Sequence, residues 1–383
     1  MSKAFKKRLG DIVNFKRGYD LPSYNRVDGP YPIVSSSGIS GFHSEYKAEG
    51  EGLITGRYGT LGEMYYVDER YWPHNTALYV TDFKGNHPKY VYFLLKCLGN
   101  LKTSDKSTVP GINRNDLHEI FVPYIDIEFQ KPIANSLSII DSKIELNNRI
   151  NTELEAMAKT LYDYWFVQFD FPDAIGKPYK TSGGKMVWNE ALKREVPMGW
   201  EDGELSEIAN ITMGQSPPGQ SFNDKKEGVI FYQGSTDFGT RFPTIRKYTT
   251  QPTRFAKKGD ILLSVRAPVG TLNISKENCC IGRGLAALNS ADNCIAFLFG
   301  VMINLKQIFD RRNVNGTTFG SITKDDLSSL VILRPKKEIL KKYNALINST
   351  FQKQNTIEFE NQKLTELRDW LLPLLMNGQL KVV

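Results

Sequence analysis

The chain has 383 residues, room for two or three domains, and its 40% hydrophobic and 24% charged content is that of an ordinary globular protein, not a disordered or fibrous one. A formal net charge of +7 and a pI near 9.0 favour a polyanionic partner, with nucleic acid the first candidate. No segment approaches the ~18 consecutive apolar residues of a membrane span, and the basic start MSKAFKKRLGDIV lacks the apolar run of a signal peptide. Cys97, Cys279, Cys280 and Cys294 form no C-x-x-C pair, and His43, His74, His87 and His118 form no ligand cluster. No metal is therefore expected, and the thiols read as buried and reduced in a cytoplasm.

The first region holds short β-rich runs between turn signals. LGDIVNFKRGYDLPS (9–23) reads as a short helix, a strand and a Pro-containing turn. Strands are expected at YPIVSSS (31–37), GLITGRYG (52–59), EMYYV (63–67) and TALYVTD (76–82), and PKYVYFLLKCLGNL (88–101) reads as a helix. A long helix follows from about Glu128 to Phe166. Phe129, Ile133, Leu137, Ile140, Ile144, Ile150, Leu154, Met157, Leu161 and Trp165 recur there mostly at three- and four-residue steps, and the one proline, Pro132, falls in the first turn. Such an apolar stripe is a coiled-coil signature. About 39 residues at 1.5 Å each give roughly 58 Å, more than one small domain covers. The segment 170–200, rich in Pro, Gly and mixed charge, reads as an extended connector.

The second half repeats the first. LSEIANITMGQSPPG (205–219) lies over LGDIVNFKRGYDLPS (9–23), with Leu205, Ile208, Asn210, Gly214 and Pro218 matching Leu9, Ile12, Asn14, Gly18 and Pro22. KGDILLSVRAPVGTL (258–272) lies over GEGLITGRYGTLG (50–62), each with an apolar run, an arginine (Arg266, Arg57) and a Gly-Thr-Leu turn. TTFGSITKDDLSSLVIL (317–333) lies over TVPGINRNDLHEIFVP (108–123), and beyond Ile112 the offset stays at 210. Further strands are expected at GVIFYQG (228–234) and DILLSVRA (260–267), and a helix at DNCIAFLFGVMINLKQIF (292–309). A second long helix runs from about Lys337 to Leu375 through Ile339, Tyr343, Ile347, Phe351, Leu364, Leu367, Leu371 and Leu375, with Pro373 in its last turn. Leu154, Met157, Leu161 and Trp165 pair with Leu364, Leu367, Leu371 and Leu375. The helix middles are polar, with Asn147, Asn148 and Asn151 in one and Gln352, Gln354 and Asn355 in the other. Polar residues at a helical seam fix register.

Ser216-Pro217-Pro218-Gly219 is like the Pro-Pro-aromatic motif with which adenine methyltransferases hold a flipped base, but Gly219 stands where the stacking aromatic belongs. Its copy in the first half is Asp20-Leu21-Pro22-Ser23, which favours a structural turn. There is no glycine-rich cofactor turn after a strand and no G-x-x-x-x-G-K-[ST] loop, so neither methyl transfer nor an ATP-driven motor is expected of the chain itself. A diverged DNA methyltransferase and a coiled-coil adaptor whose β-rich domains bind protein are the alternatives.

FQKPIANSLSIIDSKIELNNRINTELEAMAKTLYDYWFVQFDFP (129–172), LRDWLLPLLMNGQLKV (367–382) and VPMGW (196–200) resemble the central, C-terminal and lead-in regions of Type I restriction–modification specificity subunits. The likeness extends over nearly the whole chain. Where the family commonly has Glu-Gln, this chain has Phe129-Gln130, and the second helix lacks the pair at Lys337-Glu338-Ile339. The resemblance implies an α+β protein in which two pseudo-repeated α/β target recognition domains are separated by two long antiparallel coiled-coil helices. The division would be 1–125 and 201–335 for the recognition domains, 126–168 and 336–383 for the helices, and 169–200 for the connector. It further implies a non-catalytic cytoplasmic subunit that reads a bipartite double-stranded DNA target. Two methyltransferase subunits would dock on it, and restriction–translocase subunits through them. No cofactor would bind this chain; S-adenosylmethionine, ATP and magnesium would belong to the partners.

DNA contact has residue-level candidates. RFPTIRKYTTQPTRFAKK (241–258) carries Arg241, Arg246, Lys247, Arg254, Lys257 and Lys258 without an acid, with Phe242, Tyr248 and Phe255 interleaved. It is the best phosphate-binding stretch, and Lys16 with Arg17 is a weaker equivalent. Base reading needs donors and acceptors at strand ends. Ser35, Ser36, Ser37, Arg57 and Tyr58 are expected to serve the first half, and Gln233, Ser235, Thr236, Arg266, Thr317 and Thr318 the second.

Overall fold

The duplication is written into the strand pairing. The computed structural model describes residues 5–57, 63–97, 113–314 and 321–382. It divides into two compact units, Met1–Leu146 with Asn361–Val383, and Asn147–Glu360. Tyr58, Thr317 and Thr318 lie outside the described residues.

In the first unit, Phe5–Arg8 pairs antiparallel with Phe121–Tyr124. An antiparallel sheet has the order Asn14–Arg17, Ala77–Asp82, Gly52–Gly56, Met64–Val67. A second sheet holds Gly38–His43, Tyr31–Ser35 and the short Trp72–Pro73, the last pair parallel. The second unit repeats this order. Glu201–Glu204 pairs with Val331–Arg334, and Ala209–Met213, Leu285–Ser290, Ile261–Ser264 and Leu272–Ile274 form the four-stranded sheet. Its second sheet has five strands, in the order Phe222–Asn223, Lys247–Thr249, Val229–Tyr232, Cys279–Ile281, Phe255–Ala256. Val229–Tyr232 again runs parallel to its neighbour Cys279–Ile281.

Matched residues do matched work. The Leu9 amide donates to Ile120 O and the Leu205 amide to Leu330 O. A Cβ on Gly18 would sit 2.2 Å from His74 O, and one on Gly214 2.2 Å from Gly282 O, so both turns need glycine for the same close approach. Asn113 and Thr323, 210 residues apart, both N-cap the short helix after them.

The long helices span Ile127–Tyr162, continued by a π-helical turn Asp163–Val167, and Lys337–Met376. They pack on each other in antiparallel register within each unit. In the first, Arg368 Nη1 meets Asp141 Oδ1 at 3.0 Å, and Ile133, Ala134 and Leu137 share a core with Leu372, Leu375 and Met376. In the second, Asn147 Nδ2 donates to Glu360 Oε2 at 2.8 Å, while Tyr162, Trp165 and Phe166 pack with Tyr343. Asn147 and Gln354 are buried, as a polar seam requires, whereas Asn148 and Gln352 are exposed. Met157 and Leu367, expected in the seam, face outward. Those two are repeat partners, so the outward turn is shared by both copies.

Gln130 is fully buried. Its Nε2 donates to Asn86 Oδ1 and Ile125 O, and its Oε1 accepts from the His87 amide. Leu340, 210 residues on, fills the equivalent place with apolar surface, which explains how the second helix does without the pair.

The segment 170–200 departs from the expected extended connector. Met186–Asn189 and Arg194–Pro197 form a hairpin. Phe171 stacks between Tyr179 and Trp200, at 4.7 and 4.8 Å, and Phe169, Phe171 and Trp200 belong to the core of the second unit. Burial of isolated aromatics, which carry no period along the sequence, folds this stretch.

Candidate nucleic-acid interface

In the first unit, the chain from Pro73 to Ala77 gathers the strand ends. The Gly18 amide donates to Ala77 O and the Tyr19 amide to Pro73 O, fixing the turn that follows Lys16 and Arg17. The Ser36 amide donates to Thr76 Oγ1 at 3.3 Å and the Arg57 amide to Thr76 O at 2.9 Å. Arg17, Ser36 and Arg57 therefore converge on one end of the domain. Asn75 and Asp20 pair side chain to side chain beside them. Burial holds the His74 ring below the ordinary histidine range, aided by Arg26, so the group at this end is neutral. Lys16 Nζ lies 3.4 Å from Tyr19 Oη, which also shares a hydrogen bond with Tyr79 Oη.

Ser35 does not present its hydroxyl outward. It is 8% exposed, and its Oγ donates to Gly38 O, closing the hairpin between Tyr31–Ser35 and Gly38–His43. Its expected base-reading role is replaced by that structural one, while Ser37 at the hairpin tip is exposed.

The second unit builds the same end around Gly282-Arg283-Gly284. The Gly214 amide donates to Leu285 O, the Gln215 amide to Ile281 O, the Gly282 amide to Tyr232 O, and the Val265 amide to Gly284 O. This brings Gln233, Ser235 and Thr236 to the turn that carries Arg266, and an isolated bridge joins Arg266 to Ser321. Val265 thus occupies the place of Arg57, because both amides donate to the matching carbonyl. The sequence pairing of Arg57 with Arg266 is off by one residue.

The basic stretch 241–258 splits between two ends. Lys247 pairs with Phe231, and Arg254 O accepts from the Ile281 amide, so Arg246, Lys247 and Arg254 lie at the same end of the five-stranded sheet as Gln233 and the 282–284 turn. All three are exposed, and Arg246 Nε is 3.9 Å from Asp237 Oδ1. Asp237 is itself buried and accepts the Gln233 amide at 2.7 Å, which ties the loop shut.

Arg241, Lys257 and Lys258 point elsewhere. Arg241 Nε donates to Asn355 Oδ1 at 2.7 Å, and its guanidinium lies 4.4 Å from the Phe351 ring centroid, against the second long helix. Burial pulls its pKa down to about 10. Lys257 and Lys258 follow Phe255–Ala256 into the turn at the far end of the strand, with Lys258 Nζ 5.9 Å over the Phe359 ring. Phe242 is core, 5.4 Å from Phe359, and cannot stack on a base. Of the six basic residues in this stretch, Arg246, Lys247 and Arg254 are the ones exposed at the end that carries Gln233 and the 282–284 turn.

The Ser216-Pro217 turn is structural. Pro217 is buried, and Ser216 Oγ accepts from the Arg283 amide. A Cβ on Gly219 would meet nothing within 4 Å, so no cleft surrounds that position.

The model of the Type I restriction modification DNA specificity domain family matches residues 1–156 and 197–369, one copy on each half of the repeat. The chain belongs to this family. It is 33% identical over 286 residues to the MjaX specificity subunit of Methanocaldococcus jannaschii, named for a type I restriction enzyme, over 71% of this chain and 62% of that one. It is 27% identical over 312 residues to the MjaIX specificity subunit of the same organism, over 77% of this chain and 69% of that one. The crystal structure of the Type-I restriction-modification system S subunit from M. genitalium shares the fold, with a TM-score of 0.63 at 17% identity, over 96% of this chain and 94% of that one.

Proposed function

We propose that this family member is the DNA sequence-specificity subunit of a Type I restriction–modification complex. Each unit reads one half of a bipartite target in double-stranded DNA, and the chain has no transfer chemistry of its own. The observation that carries the reading is the duplicated strand-end cluster. Two copies of one framework each gather polar and cationic side chains at the same end, around residues 73–77 in one and 281–285 in the other. A pseudo-repeated reader suits a split target, since each half-site needs its own set of base-edge donors and acceptors.

In the second unit, Arg246, Lys247 and Arg254 supply phosphate contacts, while Gln233, Ser235, Thr236 and Arg266 face base edges. Arg17, Ser36, Ser37 and Arg57 do so in the first, with Lys16 toward phosphate. Thr317, Thr318 and Tyr58 extend the two sets. Two methyltransferase subunits dock on this chain and restriction subunits join through them. S-adenosylmethionine, ATP and magnesium are bound by those partners, in the cytoplasm. Among the described residues, no helix is long and apolar enough to cross a membrane.

The test is to purify the chain with the products of its genomic neighbours and sequence methylated adenines in the host. Residues 201–335 are then exchanged for the equivalent region of a relative. A bipartite methylated motif that changes in one half only is expected. A change in both halves, or in neither, rejects independent reading by the two units.

A further inference from the structure

The two copies of the strand-end cluster differ at one position in a way that points to its role. Asn75 and Arg283 are equivalent, because each sits between the matched carbonyls of Pro73 and Thr76 in one unit, and of Ile281 and Gly284 in the other. Their neighbours across the turn, Asp20 and Ser216, are equivalent as well. In the first unit Asp20 takes up the Asn75 side chain. In the second, Ser216 engages only the backbone amide of residue 283, at 3.4 Å. The Arg283 side chain is exposed, and it makes no hydrogen bond or ion pair among the described residues.

The turn that carries it is held firmly. A Cβ on Gly282 would come within 3.1 Å of Phe231 Cζ and 3.2 Å of Gln233 Cα. One on Gly284 would lie 2.7 Å from Gln233 O and 3.1 Å from Gly234 Cα. Glycine on both sides lets the turn lie flat against 231–234, so Arg283 projects from backbone pinned by four hydrogen bonds: those of Gln215, Gly282, Val265 and its own amide. Its sequence neighbours in space are Gln233, Ser216 and the Arg266 turn. An unpaired guanidinium on a rigid turn, which packs on the Gln233 backbone and bonds to the residue before Arg266, has the form of a base-edge reader. The backbone has little freedom left to lose on binding, and the planar fork matches the O6 and N7 acceptors of guanine in the major groove.

We propose that Arg283 is a specificity-determining residue of the second half-site, reading a guanine. This rests on the DNA-specificity reading of the chain and deepens it. Arg283→Lys keeps the charge and loses the fork, and Arg283→Ala loses both. Because the side chain has no protein partner among the described residues, neither substitution is expected to shift the melting temperature.

The experiment titrates the assembled complex, with wild-type, Arg283→Lys or Arg283→Ala chain, against cognate duplex and duplexes substituted singly at each position. Titrations are repeated at several salt concentrations. Both variants should lose about five- to 150-fold of discrimination at one base pair of one half-site, the range an Arg–guanine pair supplies. Arg283→Lys should also leave the salt dependence as it was. The proposal is overturned if Arg283→Lys discriminates like wild type while Arg283→Ala weakens every duplex alike, which marks a phosphate contact. It is equally overturned if neither variant changes anything. If the wild-type complex itself shows no bipartite preference, the specificity reading fails instead, and the same titration shows this directly.

Discussion

The split of the basic stretch 241–258 gives a quantitative expectation. Arg246, Lys247 and Arg254 lie at the strand-end cluster, whereas Arg241 is sealed against Phe351 and Asn355. If each of the three touches phosphate, neutralising all of them to Gln removes about 0.9 per contact from the slope of log affinity against log salt, or about 2.7 together. Between 50 and 200 mM salt, a fourfold step, the affinity deficit of the triple variant should then shrink by about fortyfold. Every duplex should weaken alike, because phosphates carry no sequence information. Arg241→Met should do the opposite. It keeps an apolar stem over Phe351 and loses the Nε–Asn355 hydrogen bond, whose removal costs about 1.5–3 kcal/mol, partly offset by relief of the buried charge that pulls its pKa to about 10. A net destabilisation of about 1–2 kcal/mol is expected, with an unchanged salt slope. The assays are fluorescence anisotropy of labelled duplex with the assembled complex, and urea denaturation of the chain. A reduced slope for Arg241→Met, or an unchanged slope for the triple variant, refutes the division.

Three further outcomes are expected. Burial holds His74, His87 and His118 below the ordinary histidine pKa, and the His118 ring nitrogen accepts the Phe15 amide, which requires the neutral form. Unfolded chain therefore takes up protons near pH 6.5 before these rings do, so their contribution is complete above that pH and declines as pH falls below it. Residues 147–360 contain no histidine, so amide protection measured by hydrogen exchange at pH 5.5 against 7.5 should fall more in the first unit; equal loss in both would count against the assignment. Gly18→Ala and Gly214→Ala each place a Cβ 2.2 Å from a carbonyl oxygen and should destabilise by about 2–4 kcal/mol, while Gly219→Ala, in open space, should leave the denaturation midpoint unmoved. Gly219→Phe restores the aromatic of the methyltransferase-like motif, yet the isolated chain should still transfer no label from S-adenosylmethionine to unmodified DNA; incorporation by either form would show that the chain is catalytic.

Much of the framework is legible in the sequence because local chemistry and periodicity agree. The six strands expected from alternating β-branched runs all form, and the two long helices end within a residue or two of their apolar stripes. Repeat-matched glycines and N-caps mark where backbone meets backbone, so their identity survives in both copies. The hairpin at 186–197 was illegible because it is held by Phe169, Phe171 and Trp200, aromatics with no common spacing. The basic stretch looked continuous because charge along a sequence does not say which end of a strand a residue occupies. Antiparallel register puts 246, 247 and 254 at one end and 257 and 258 at the other. Arg57 and Arg266 match by residue type, whereas the amide–carbonyl bonds to Thr76 and Gly284 place them one residue apart. Arg283 left a signal, a Gly-Arg-Gly triplet entering a strand, but its meaning depends on what the glycines lie against.

The contrast between the two copies separates positions that hold the frame from positions at the strand ends that vary. Positions that fix backbone geometry carry the same or equivalent residues: Gly18 and Gly214, Leu9 and Leu205, Asn113 and Thr323. Positions at the converging strand ends differ in charge and size: Asp20 and Ser216, Asn75 and Arg283, Arg57 and Val265. A strand end that served only to close the turn would need the same partners in both copies, since the amides and carbonyls to be satisfied are the same. Those bonds are instead made by backbone, from Gly18, Tyr19 and Arg57 in one unit and from Gly214, Gln215 and Val265 in the other. The Arg283 side chain is thereby left exposed, whereas Val265 packs in the core and Asn75 stays paired with Asp20. Substitution of the exposed Arg283 is therefore expected to cost little stability, whereas substitution in the frame costs stability first. If the two units read DNA as proposed, two copies of one frame can hold two unrelated half-sites.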